Sequence, residues 1–85
     1  MSVGKKLTVE ILSPEGPIYQ GPATAVSSSN NKGKFDILPG HSRFISIIND
    51  NLSVRTDAEM REFECKEGVL RCYDDRVQVY LAGIE

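Results

Sequence analysis

Leu70-Arg71-Cys72-Tyr73-Asp74-Asp75-Arg76-Val77-Gln78-Val79-Tyr80-Leu81 is the stretch that decides the fold. Leu70 and Cys72 alternate with Arg71 and Tyr73, and Val77, Val79 and Leu81 alternate with Gln78 and Tyr80. Successive side chains of a strand point to opposite faces, so each half reads as a strand with one apolar face. Asp74-Asp75 leaves room only for a tight link, and the two halves are predicted to form a hairpin.

The same signal recurs upstream. Leu7, Val9 and Ile11 share one face of an opening strand, followed by the turn cluster Ser13-Pro14-Glu15-Gly16-Pro17. A very short strand at Ile18-Tyr19 is expected to end at Gly21-Pro22, and Ala23 to Ser28 reads as a weakly apolar one. Asn30-Asn31-Lys32-Gly33 makes a loop, Phe35 and Ile37 alternate, and Leu38-Pro39-Gly40 turns sharply. Phe44 to Ile48 reads as a buried strand closed by Asn49-Asp50-Asn51, and Leu52 and Val54 share the next face. Residues 57–66 contain good helix formers (Ala58, Glu59, Met60, Arg61, Glu62), but Phe63 and Cys65 alternate with Glu62, Glu64 and Lys66, which favours a strand over the rival helix.

These segments predict an all-β fold: a small, mostly antiparallel β-sandwich of about eight to ten short strands. The 85 residues make a single domain, 1–85, with residues 1–6 as a flexible N-terminus. Val9, Ile11, Phe35, Ile37, Leu70, Val77, Val79 and Leu81 are the expected interior. Apolar residues make up 40% of the chain and charged residues 26%, which is globular rather than disordered composition. A net charge of −2 with interspersed signs gives no nucleic-acid footprint. No apolar run reaches the roughly 18–20 residues that span a bilayer, so no direct membrane insertion is expected. Thr8 and Glu10 break the apolar stretch after Lys5-Lys6, which argues against a secretory signal and for a cytoplasmic chain. Cys65 and Cys72 are expected to be reduced and buried, as small apolar side chains in strands.

Catalytic chemistry finds no constellation here. His41 is the sole histidine and has no serine or cysteine near it in a nucleophile motif. Two cysteines and one histidine cannot supply four Cys/His ligands to zinc, and the carboxylates Asp57, Glu59, Glu62, Glu64 and Glu67 are interleaved with Arg61 and Lys66, as on a solvated face. Ser27 to Lys34 lacks the glycine spacing of a phosphate loop. Catalytic, cofactor and metal sites are therefore all expected to be absent, and the chain is read as a non-enzyme. Asn51-Leu52-Ser53 is a chance match to a glycosylation sequon.

Leu7-Thr8-Val9-Glu10-Ile11-Leu12-Ser13-Pro14, Ile18-Tyr19-Gln20-Gly21, Gly33 to His41, Gly68-Val69-Leu70 and Val77-Gln78-Val79-Tyr80-Leu81-Ala82 together resemble the β-sandwich domain of the epsilon subunit of F-type ATP synthases, the delta subunit in mitochondria. The resemblance covers about residues 7 to 82, and Leu38-Pro39-Gly40-His41 is its most specific element. It implies a non-catalytic rotor subunit that links the gamma subunit to the c ring and couples proton flow to ATP synthesis. It also implies a cytoplasmic location, peripheral on the inner face of the cell membrane.

Lys34 stands where that family usually has Glu, Asp36 where it has Gly, and Ser42-Arg43 where it often has Ala-Pro. The family's C-terminal helical hairpin is not matched, so inhibition and nucleotide binding are not implied. Lys34, Asp36, His41, Ser42 and Arg43 are the expected partner interface. The alternative is a free-standing β-sandwich binding module for a small ligand or another protein.

Overall fold

The computed structural model describes residues 6–82, apart from the side chains of Asp50 and Cys65. The expected flexible N-terminus therefore lies outside the described residues except for Lys6, which ion-pairs with Asp57. Among the described residues seven strands run in chain order: β1 (Leu7–Ser13), β2 (Gly16–Ala23), β3 (Ala25–Asn30), β4 (Gly33–Ile37), β5 (Phe44–Arg55), β6 (Met60–Tyr73) and β7 (Arg76–Leu81). One continuous ladder joins them in the order β2-β1-β7-β6-β5-β3-β4. Every pairing is antiparallel except β1 with β7.

The ladder folds back on itself because β5 and β6 are long and serve both layers of the sandwich. In the first layer, β2, β1 and β7 continue into residues 68–73 of β6 and 44–48 of β5. In the second, residues 60–65 of β6 and 50–55 of β5 continue into β3 and β4. The expected short segments thus count nine by layer but seven by chain.

The crossing point has a specific construction. Ile48 pairs with Gly68 and Asp50 with Cys65, so Lys66 and Glu67 of β6 oppose Asn49 alone. That is a β-bulge, which bends a strand pair and shifts its alternation. It explains why Phe63 packs against the core from an odd position while Leu70 and Cys72 fill it from even ones. Backbone groups around the bulge find side-chain and main-chain partners. Ser28 Oγ donates to Asn51 O at 2.7 Å and Ser29 Oγ to Asn49 O at 2.9 Å, while the Ala82 N–H donates to Glu67 O at 2.9 Å. Among the described residues no buried side-chain nitrogen or oxygen lacks a partner.

The core joins Leu7, Val9 and Ile11 of β1 to Val77, Val79 and Leu81 of β7, with Val26, Ile37, Ile48, Leu52, Val54, Leu70 and Cys72 around them. Seven of the eight residues expected inside are buried. The exception, Phe35, lies on edge strand β4 and is only half-buried, its ring edge-on to Phe44 at 5.2 Å. The opposite rim is shut by Tyr19 and Phe63, 6.5 Å apart, with the Arg61 guanidinium over both rings.

The strand expected across 57–66 is present from Met60 onward. Residues 56–59 form a turn, in which Thr56 Oγ1 accepts from the Ala58 and Glu59 N–H groups. The β6–β7 link is as expected: Asp74 and Asp75 both adopt positive φ, 49° and 61°, the conformation a two-residue hairpin loop demands. Cys72 is buried and free, and its thiol is pushed above the ordinary range, first by burial and then by the Asp75 carboxylate. Cys65 lies outside the described side chains.

A Cβ on Gly68 would sit 2.8 Å from the Tyr80 carbonyl oxygen and 3.1 Å from Leu81 Cδ2. Gly68→Ala should therefore destabilise the fold by about 2 kcal/mol, the range of overpacking, read from urea midpoints. Because the folded thiol of Cys72 holds its proton to higher pH than the unfolded one, the unfolded state binds fewer protons in alkali. Stability is thus lost as pH rises above about 8.5, the ordinary thiol value. The urea midpoint should fall between about pH 7 and pH 10, across that value, and fall less in Cys72→Ala. Rapid labelling of Cys72 by a thiol reagent in the native protein would contradict this burial.

Candidate functional site

The loop between β4 and β5 is held in one shape by its own sequence. Pro39 supplies the fixed φ of a turn, Gly40 takes φ 89°, and the His41 N–H closes the turn on Leu38 O at 3.1 Å. The Gly40 N–H also donates to Asp75 Oδ1 at 2.7 Å, which ties the loop to the β6–β7 hairpin tip. His41 Nδ1 lies 2.8 Å from Ser42 O, and its ring packs edge-on against Phe44 at 5.6 Å. These contacts give this histidine a structural role in the loop.

The five residues expected at the interface fall into two groups. Lys34 and Asp36 project from β4 on the solvent side of the second layer, and Asp36 accepts from Ser27 Oγ at 2.5 Å. His41, Ser42 and Arg43 follow the turn, exposed, at the mouth of the first layer. Arg43 lines a cleft of about 500 Å³ with Phe44, Ile45, Arg71, Cys72 and Tyr73. Among the described residues no group of three or more His, Cys, Asp or Glu side chains could hold a metal ion.

A surface not singled out in the sequence lies on the outer face of the first layer. The strand Phe44 to Ile48 is not buried throughout as expected: Ile48 points inward, but Ile45 is 67% exposed and Ile47 58%. Cross-strand register places Ile47 beside Val69, Val69 beside Tyr80, Tyr80 beside Leu12 and Leu12 beside Pro17. Five strands thus contribute one apolar row, with Val69 38% and Tyr80 43% exposed. The adjoining row is polar. Arg71 Nη2 donates to Gln78 Oε1 at 2.5 Å, and Gln78 Nε2 donates to Glu10 Oε1 at 3.3 Å. An apolar row bordered by a bonded polar one has the make-up of a protein-contact surface, and it offers no chemistry of its own. The signal in the sequence is the outward set Ile47, Val69 and Tyr80, but only the register shows that they are neighbours.

Residues 6–85 match the family described as ATP synthase, Delta/Epsilon chain, beta-sandwich domain. Similar chains include the ATP synthase epsilon chain of Thermodesulfovibrio yellowstonii, 28% identical over 81 residues, which covers 94% of this chain and 58% of that one. That of Sulfurimonas denitrificans is 30% identical over 80 residues, covering 92% and 62%. The chain spans about three fifths of the length of these curated relatives. Among solved structures, the fold is shared with a chain of the Euglena gracilis mitochondrial ATP synthase OSCP/F1/c-ring structure at TM-score 0.88 and 16% identity, covering 100% of this chain and 56% of that one. It is also shared with a chain of the Tetrahymena thermophila mitochondrial ATP synthase central stalk/c-ring structure at TM-score 0.80 and 13% identity, covering 94% and 66%.

The turn carries its own test. Gly40→Val forces a β-branched residue to a positive φ, at a cost of about 1–3 kcal/mol. Asp75→Ala removes the carboxylate that accepts from Gly40. Both should speed hydrogen exchange of the Gly40 and His41 amides, whereas Lys34→Ala should leave them unchanged.

Proposed function

The chain belongs to the delta/epsilon β-sandwich family of ATP synthases, and from that premise we propose that it is a non-catalytic rotor component of an F-type ATP synthase. In this reading it links the gamma subunit of the central stalk to the c ring and helps couple proton flow to ATP synthesis. It sits peripherally at the inner face of the cell membrane, held there by the complex. No described helix is long and apolar enough to cross a membrane.

The observation that carries the reading is the apolar row Ile47–Val69–Tyr80–Leu12 on the first layer. A rotor part must pass torque through contact, and a rigid sheet with a solvent-facing apolar row supplies a contact that does not yield. Lys34 and Asp36 stand on β4, at another part of the surface, and offer polar, individually weak contacts suited to a second partner, the c ring. The same protein can thereby touch two neighbours through surfaces of different chemistry.

Calorimetric titration of the purified chain with the gamma subunit of the same organism tests this. Wild type should bind at micromolar or tighter affinity. Val69→Asp, which puts a charge in the middle of the row, should weaken binding by at least about 2 kcal/mol, the scale of a buried hot-spot contact. Lys34→Ala and Asp36→Ala should cost under about 1 kcal/mol, as exposed rim charges do. Absence of wild-type binding would remove the reading.

A further inference from the structure

A two-layered sandwich that does not close into a barrel has open edges, and the described residues form four. The β2 edge carries Pro17 and Pro22, which cannot donate to a neighbouring strand. The β4 edge is five residues long and bears Lys34 and Asp36. The edge formed by the first half of β6 bears Arg61, Glu62, Glu64 and Lys66. Short length, prolines and charges are the devices by which proteins keep foreign strands away.

The fourth edge has none of them. It is the first half of β5, Phe44-Ile45-Ser46-Ile47-Ile48, with no charge, proline or glycine and three β-branched residues. It pairs with β6 on one side only; β3 joins β5 from Leu52 onward, and among the described residues no strand pairs with 44–48 on the other side, where β3 reaches it through the Asn30 side chain alone, whose Nδ2 donates to Ser46 Oγ at 3.0 Å. Alternate N–H and C=O groups of this half therefore face outward, flanked by the exposed Ile45 and Ile47. Such an edge is a template for strand addition.

Charge indicates what comes there. Arg43 leads into this edge and Arg71 sits opposite Ile45 on β6, on the same outer face, and both line the cleft with Ile45 and Tyr73. No carboxylate lines that cleft. Neither arginine ion-pairs with a described residue; Arg71 donates to Gln78 Oε1 and rests over the Tyr73 ring at 5.1 Å, while Arg43 has no carboxylate near it in the cleft. A second copy of the chain would bring the uncharged stretch 44–48 to the edge, with nothing in it to answer these cations.

We propose that the Phe44–Ile48 edge of β5 receives an extended segment of a partner polypeptide as an added strand, its carboxylate opposite Arg43 and an apolar side chain two positions along, against Ile45. Directly opposed side chains on neighbouring strands lie about 5 Å apart, so one acid and one apolar residue with this spacing meet both features. The inference rests on the rotor reading in one respect, that the gamma subunit supplies the segment. It goes beyond that reading in fixing the mode of contact and the chemistry of the partner strand.

Amide hydrogen exchange of residues 44–48, measured on the whole chain alone and with one equivalent of the gamma subunit, tests it. On binding, the outward-facing amides should slow at least tenfold. Ile45→Lys and Arg43→Glu, both at exposed positions and checked for native circular dichroism, should each weaken binding at least tenfold, and Arg43→Lys should restore part of the loss. Gamma binding with no slowing at 44–48, or undiminished binding by both variants, overturns the strand addition and leaves the rotor reading standing. Failure of gamma to bind wild type overturns both. A chain that sediments as a dimer on its own, with 44–48 already protected, assigns the edge to a second copy and overturns the inference.

Discussion

The bent pairing of β5 with β6 is the constraint on which the rest of the molecule depends. A flat pair of this length would run out of the domain. The bulge at Lys66-Glu67 and the bare backbone at Gly68 let the two strands turn together from one layer into the other. Everything else attaches to one half or the other of that pair. Residues 68–73 of β6 recruit β7 and, through it, β1 and β2, while residues 52–55 of β5 recruit β3 and β4. Two serines of β3 brace the bend from the side, since the hydroxyls of Ser28 and Ser29 donate to the carbonyls of Asn51 and Asn49.

That construction also determines where contact surfaces appear. Because β5 leaves the first layer at the bend, its earlier half becomes an edge, and Ile45 and Ile47 face solvent beside Val69. The same turn of the chain sets the Leu38–Arg43 loop beside the β6–β7 hairpin tip, where Asp75 takes the Gly40 N–H. An apolar face, an uncharged edge and a rigid polar loop therefore adjoin one another as consequences of a single backbone feature.

Much of this is legible in the sequence where the information is local. The β6–β7 hairpin can be read because its alternation and its two-residue Asp-Asp link are contained in the consecutive residues 70–81. The Pro39-Gly40 turn is legible for the same reason, as is the inward set on β1 and β7. The continuity of β5 and β6 is hidden, since Asn49-Asp50-Asn51 and Gly68 carry the composition of breaks and only pairing shows them to be bends. Ile45 and Ile47 look buried because isoleucine-rich strands usually are. Their exposure depends on which layer lies over them, a property of distant strands. The row from Ile47 to Leu12 is illegible for a related reason, as its members lie far apart in the chain and are made neighbours by register. The serine run, by contrast, is recognisable as something other than a phosphate loop, but its bracing role emerges only once the bulge is seen.

In the proposed role this bent sandwich works by contact inside a rotor and not as a free-standing module. The most direct measurement is to tag the chain at its native locus, solubilise the membranes in mild detergent and determine by quantitative mass spectrometry what co-migrates with it through size exclusion. The proposed rotor role requires elution with the assembled ATP synthase, together with its gamma subunit. Elution of the intact tagged protein apart from gamma and the c ring, with the synthase fully assembled in the same sample, would contradict it.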